Sequence, residues 1–174
     1  DGAEHEPAPD RMDHDGVDRS ETELVLHVSS RPEKERWATL QGDMFTVRIS
    51  SPADDVLRVR VSHHLGRVRR GPNFELNAPA RSLSVTESAD GLVVVSGNLE
   101  LRLTKSPWGM TFVDRKSGEP ITASPHKALG LMDKPGAGLF LREQLTLRAG
   151  ELVYGLGERF SAFAKNGQTV DMWN

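Results

Sequence analysis

Residues 98–104 read NLELRLT, with Leu99, Leu101 and Leu103 alternating against Glu100 and Arg102. Successive side chains of an extended chain point to opposite faces, so this stretch has one apolar and one charged face. The same period of two recurs upstream. Residues 43–50 (DMFTVRIS) set Phe45, Val47 and Ile49 against Thr46 and Arg48, and residues 56–61 set Leu57, Val59 and Val61 against Arg58 and Arg60. Apolar runs at 22–28, 92–95, 110–114, 139–147 and 152–156 add further strand candidates. Turn formers fall between them, at Ser51-Pro52, Asp90-Gly91, Ser117-Gly118 and Ala149-Gly150. The pattern predicts about nine or ten short strands and no helix of three turns. Closely spaced strands with short connections imply antiparallel hairpins, so the expected fold is an all-β, antiparallel β-sandwich over residues 22–150. No internal repeat is visible, which argues against propellers and solenoids.

The chain has 174 residues, 37% hydrophobic and 27% charged, enough to bury a core and too apolar for general disorder. No apolar run approaches the roughly 18 residues needed to cross a bilayer. The N-terminus shows no basic and apolar signal-peptide pattern. Cysteine is absent, which removes disulfides, thiolate catalysis and Cys-based zinc sites, and leans towards a cytoplasmic location. The net charge of −3 is unevenly spread. Residues 1–36 carry eleven acids and five bases, and the rest carry fourteen acids and seventeen bases. Neither part has the concentrated basic face of a nucleic-acid binder. Residues 1–21, with Pro7, Pro9 and Gly16, are expected to form a flexible acidic lead-in.

Candidate chemistry is sparse. The tract Asp10–Gly16 resembles a calcium loop, but an alignment on Gly16 puts Arg11 and Thr22 where the first and last ligands belong. His63 and His64 follow a strand and would point to opposite faces, and the other histidines lack an i, i+4 partner. Asp54-Asp55 sits where a turn is needed, and turn chemistry accounts for it. The Gly66–Pro72 stretch holds three arginines that fit either a solvated loop or an anion contact. Gly155-Leu156-Gly157-Glu158 lacks the third glycine and the βαβ setting of a dinucleotide site. Trp37, Trp108 and Trp173 are open to two readings, as sugar platforms or as packing. No cofactor or metal site is expected.

Residues 151–174, ELVYGLGERFSAFAKNGQTVDMWN, are far more specific. Tyr154–Phe160, Lys165–Thr169 and Trp173-Asn174 closely resemble the signature that joins the N-terminal β-sandwich to the catalytic barrel in family 31 glycoside hydrolases, α-xylosidase branch. Ser51-Pro52-Ala53, Gly71-Pro72 and Ser96-Gly97-Asn98-Leu99 extend the likeness over roughly residues 40–174. The resemblance implies a galactose-mutarotase-like sandwich, incomplete at the C-terminus, and a parent that hydrolyses α-linked xylosides or glucosides with retention. In such enzymes one aspartate is the nucleophile and another the acid/base, both in a (β/α)8 barrel. This chain ends before any barrel, so no catalytic residue is assigned in it and a fragment is expected. By the same resemblance, Trp173 and Asn174 are the candidate substrate-binding residues, with residues 151–174 leading towards the barrel. A flat indole beside an amide suits a sugar, and the other reading is that Trp173 packs the domain junction. Gly155 and Gly157 would permit unusual backbone angles, and Glu158 and Arg159 would bridge the domains. A free-standing sugar-binding module and a homo-oligomer built through the 37–43 loop are the alternatives.

Overall fold

The computed structural model describes residues 11–29, 43–63 and 80–172, in which every regular element is a strand. β1 (Arg11–Arg19), β2 (Glu23–Ser29), β3 (Met44–Ser50) and β4 (Arg58–His63) form one antiparallel sheet in sequence order. β5 (Ser84–Glu87), β6 (Gly91–Ser96), β7 (Leu99–Lys105), β8 (Trp108–Asp114) and β9 (Pro120–Ser124) form a second. β10 (Gly130–Lys134) and β11 (Gly138–Arg142) make a separate hairpin. The expected all-β antiparallel sandwich is therefore the observed fold.

The alternating residues explain why. In the first sheet Leu24, Leu26 and Val28 lie opposite Ile49, Val47 and Phe45. In the second, Leu92 pairs with Leu103 and Val94 with Leu101. These sets merge into one buried cluster that also takes in Trp108, Met110 and, from the hairpin side, Leu129 and Leu131. Two sheets sharing one apolar interior is the definition of a sandwich. A buried pair, Ser51 Oγ and Ser96 Oγ at 2.6 Å, stitches the layers together. A second stitch comes from Asp55, whose φ is 61° and whose carboxylate accepts the Asn98 backbone N–H at the β6–β7 turn. Asp54-Asp55 is thus turn chemistry, as expected. Gly97, at φ 55°, is required there, because a β-carbon would fall on that carboxylate.

Four sequence expectations need correction. Residues 11–19 lie inside the expected lead-in but form β1, which pairs with β2 across a register shift between Met12 and Val17. The Asp13-His14-Asp15 tract belongs to this irregular edge strand. Backbone pairing at a sheet edge needs no apolar face, so alternation does not announce it. Residues 152–156 are apolar but not a strand. The 139–147 run is strand only to Arg142. Trp108, an open sugar-platform candidate, is 1% exposed and belongs to the core. β4 keeps its alternation only in part, since Val59 and Val61 are half-buried at the edge of their sheet.

Candidate functional site

Residues 151–172 have no regular secondary structure and are held by side chains instead. The Asn166 amide imitates a strand partner: its Oδ1 accepts the Val153 N–H at 2.8 Å and its Nδ2 donates to Glu151 O at 2.9 Å. The backbone adds Lys165 N–H to Val153 O at 2.7 Å. Lys165 is 8% exposed, and its ammonium donates to Ser161 Oγ at 2.8 Å and Ala162 O at 2.7 Å. A buried cation must be hydrogen-bonded, and this one is satisfied by the turn it closes. Three successive residues, Gly155, Leu156 and Gly157, take φ values of 107°, 68° and 74°. The glycines do so freely, as expected for them, whereas a leucine there is strained. Asn166→Ala should therefore leave global stability almost unchanged but loosen the clamp by about 1 kcal/mol. Hydrogen exchange at the Val153 amide should quicken roughly fivefold.

The closed turn frames a surface recess of about 500 Å³. Glu158, Arg159, Phe160 and Ser161 line one wall, and Gln168, Thr169, Val170 and Asp171 line the other. Arg159 Nε is tied to Leu156 O at 2.9 Å and Gln168 Nε2 to Ala164 O at 2.8 Å. Phe163 instead stands against Tyr154, ring centres 5.0 Å apart. The predicted substrate residues Trp173 and Asn174 lie outside the described residues, just beyond Asp171. So do Trp37, His64, the arginine cluster of 67–70 and most of the 37–43 loop. Sequence reasoning missed the recess, because its walls are set by hydrogen bonds of Lys165, Asn166 and Gln168 within an irregular segment.

Carboxylates decide what chemistry is open to the described residues. Asp114, Glu119 and Glu151 share a second shallow recess. Asp114 accepts from Ser117 N at 2.8 Å and Asn98 Nδ2 at 2.9 Å, and the Ser117 backbone bond above all holds its carboxyl below the usual carboxylate range. Glu151 Oε2 caps Arg148 N at 2.8 Å. A glycosidase acid needs the opposite, a raised pKa facing a second carboxylate. Glu143 is the one described carboxyl pushed up. The cause is partial desolvation beside an apolar recess lined by Val59, Val61, Phe112 and Leu141, which outweighs the nearby Arg142 charge. No other carboxylate lines that recess. Asp114 thus lacks the raised pKa of such an acid, and Glu143 lacks a second carboxylate in its recess.

Glu143 has a measurable consequence. Its raised folded pKa means that the fold favours the protonated form. That contribution is complete below the ordinary carboxylate pKa and lost as pH rises through the raised value. Glu143→Gln should accordingly raise Tm at neutral pH, with the gain vanishing below about pH 4. Paired thermal scans at the two pH values check this.

Comparison with known proteins agrees with this geometry. Residues 46–174 match the model of the glycosyl hydrolase 31 N-terminal galactose mutarotase-like domain. The chain is 32% identical to an alpha-xylosidase of Emericella nidulans over 91% of its own length and 22% of that protein's. It is 31% identical to the alpha-xylosidase XylQ of Lactiplantibacillus pentosus, over 74% of this chain and 17% of that one. It thus spans about a fifth of these relatives. Among solved structures, a GH31 dextranase of Flavobacterium johnsoniae superposes with a TM-score of 0.69 at 17% identity, covering 97% of this chain and 19% of that one. The cycloalternan-forming enzyme of Listeria monocytogenes gives 0.67 at 18%, covering 91% and 14%. These two speak to the fold. The family match and the xylosidase relatives go further: this chain belongs to the N-terminal galactose mutarotase-like domain of the family 31 glycoside hydrolases.

Proposed function

We propose that the chain is the N-terminal scaffold and active-site rim of a retaining α-glycosidase, an α-xylosidase or α-glucosidase, and that it is inactive alone. The observation that carries this reading is the 151–174 signature, in a chain where Asp114 and Glu151 are engaged in turns and Glu143 is the one carboxylate of its recess. The two alpha-xylosidase relatives favour an α-xyloside substrate. The catalytic aspartates then belong to a (β/α)8 barrel elsewhere in the parent protein. There, one attacks the anomeric carbon while the other protonates the leaving oxygen, the two carboxyls roughly 5 Å apart, and water then resolves the glycosyl-enzyme. Trp173 and Asn174 would border the sugar.

The surface supports a domain made to be covered. Of thirteen large apolar side chains exposed among the described residues, eleven fall between 139 and 172. A monomeric surface rarely concentrates them so. A sugar-binding module resting on Trp108 is disfavoured, because that indole is buried. The test is stereochemical. The product of the full reading frame containing this chain should release the α-anomer from an aryl α-xyloside or α-glucoside, followed by proton NMR. Release of the β-anomer, or no hydrolysis of either, would overturn the reading.

A further inference from the structure

We propose that Asn166 is a site of spontaneous deamidation, held in check by the clamp it forms, and that loss of its amide opens that clamp irreversibly. Asn166-Gly167 is the one Asn-Gly pair in the sequence. An asparagine amide is among the thermolabile groups of proteins, and a following glycine puts no β-carbon in the way of attack on it. Gly167 sits at φ 71° with open space where a β-carbon would be, and its N–H makes no hydrogen bond among the described residues. The backbone nitrogen that must attack is therefore unengaged. What restrains the reaction is the other partner. Asn166 Oδ1 is held by Val153 N–H at 2.8 Å and its Nδ2 by Glu151 O at 2.9 Å, so its Cγ is pinned to residues 151–153 and cannot swing over Gly167 N. Both reacting groups belong to this chain and the only reagent is water, so covering the segment with the rest of the parent protein does not remove the site.

Once the clamp opens, Gly167 N attacks Asn166 Cγ. The new N–C bond closes a succinimide ring while the Cγ–Nδ2 bond breaks, and the side-chain nitrogen leaves as ammonia with the Gly167 amide proton. Water then adds to either ring carbonyl and reopens the ring, returning a proton to the Gly167 nitrogen. Opening at Cγ leaves aspartate, and opening at the main-chain carbonyl carbon leaves isoaspartate. Neither product rebuilds the clamp. In aspartate the Nδ2 donor is replaced by an oxygen facing Glu151 O, so two acceptors meet with no proton between them. In isoaspartate the main chain runs through the side-chain carbons and lengthens, although Gln168 N–H must reach Lys165 O across this position, at 3.1 Å in the intact turn. The turn closed by the Lys165 ammonium thereby loses its tie to residues 151–153.

The test is to age the product of the full reading frame in warm, mildly alkaline buffer and to map deamidation by peptide mass spectrometry, with an isoaspartate methyltransferase assay beside it. Two ordinary hydrogen bonds must open before the ring closes, so Asn166 should deamidate roughly thirtyfold more slowly in native protein than in guanidinium chloride. Asn73, Asn77 and Asn98, none followed by glycine, should stay intact over the same period. Lys165→Met keeps the Asn-Gly pair but removes the ammonium bonds to Ser161 and Ala162, and should speed the native reaction roughly fivefold. Should that variant not fold, the comparison of native with denatured parent decides alone. In the aged protein and in Asn166→Asp, hydrogen exchange at the Val153 amide should quicken roughly fivefold, as for Asn166→Ala. Equal rates in native and denatured protein, an Asn166 that survives even denatured, a folded Lys165→Met no faster than its parent, or unchanged Val153 exchange after deamidation overturns the proposal. None of these outcomes bears on the α-glycosidase reading, which is judged by the anomer released.

Discussion

Phe45→Ala should lower the free energy of unfolding by about 3–5 kcal/mol and Tm by on the order of 10 °C. Phe45 is 0% exposed, paired with Val28 on one side and His63 on the other, in the cluster shared by both sheets. Removing the ring takes away its burial energy and leaves a void that two hydrogen-bonded sheets cannot close without breaking register. Stability of the whole domain is only a few times this amount, so the variant should populate unfolded chain near body temperature. Phe140→Ala provides the contrast. Its ring is exposed on β11, and the same chemical change should alter stability by less than about 0.5 kcal/mol. Urea melts of the two variants make the comparison, and equal losses would mean that the sandwich core is wrongly placed.

Gly91→Ala should be comparably damaging although it adds a single methyl. Gly91 is buried at the start of β6, opposite Thr104 of β7. A β-carbon there would overlap the Leu103 carbonyl oxygen, a backbone atom that cannot swing aside like a side chain. The strands must separate, which strains the turn closed by Lys105 N–H to Asp90 O at 3.0 Å and Ser88 N–H to Gly91 O at 2.9 Å. A loss of about 3 kcal/mol follows, at the upper end of overpacking effects. Thermal denaturation by circular dichroism reads it. A Tm within about 2 °C of the parent would show that the β6–β7 approach is looser than described.

The parts of the fold that could be read from the residues are those where water is excluded from one face only. Leu101 and Leu103 alternate with exposed Arg102 and Thr104 because β7 separates core from solvent, and Phe45, Val47 and Ile49 alternate with polar residues although Thr46 is itself buried. β5 offers only Val85 to the interior, and β10 ends in exposed Asp133 and Lys134, so neither has a period to detect. β1 is held by backbone pairing at an edge and carries acids that composition assigns to a tail. The error at 152–156 has the reverse cause. The residues are apolar, but Gly155, Leu156 and Gly157 all take positive φ, which no extended strand accommodates.

The site was legible to a different degree. The string 151–174 carries the family resemblance, and the unusual backbone angles expected there for Gly155 and Gly157 are the positive φ values observed. The recess could not be foreseen. It exists because Lys165 folds back on Ser161 and Asn166 on Val153, and hydrogen bonds within an irregular segment leave no periodic trace. Of the tryptophans, Trp108 is core, while the exposed ring among the polar groups is Phe160.

The most direct measurement is the simplest one: the purified 174-residue chain incubated with p-nitrophenyl α-D-xyloside and α-D-glucoside. With Asp114 and Glu151 tied into turns and Glu143 alone in its recess, the account predicts release of nitrophenol no faster than in buffer. Sustained, enzyme-proportional turnover would mean that the chain holds a working pair of carboxylates, and the assignment of hydrolysis to the rest of the parent protein would be contradicted.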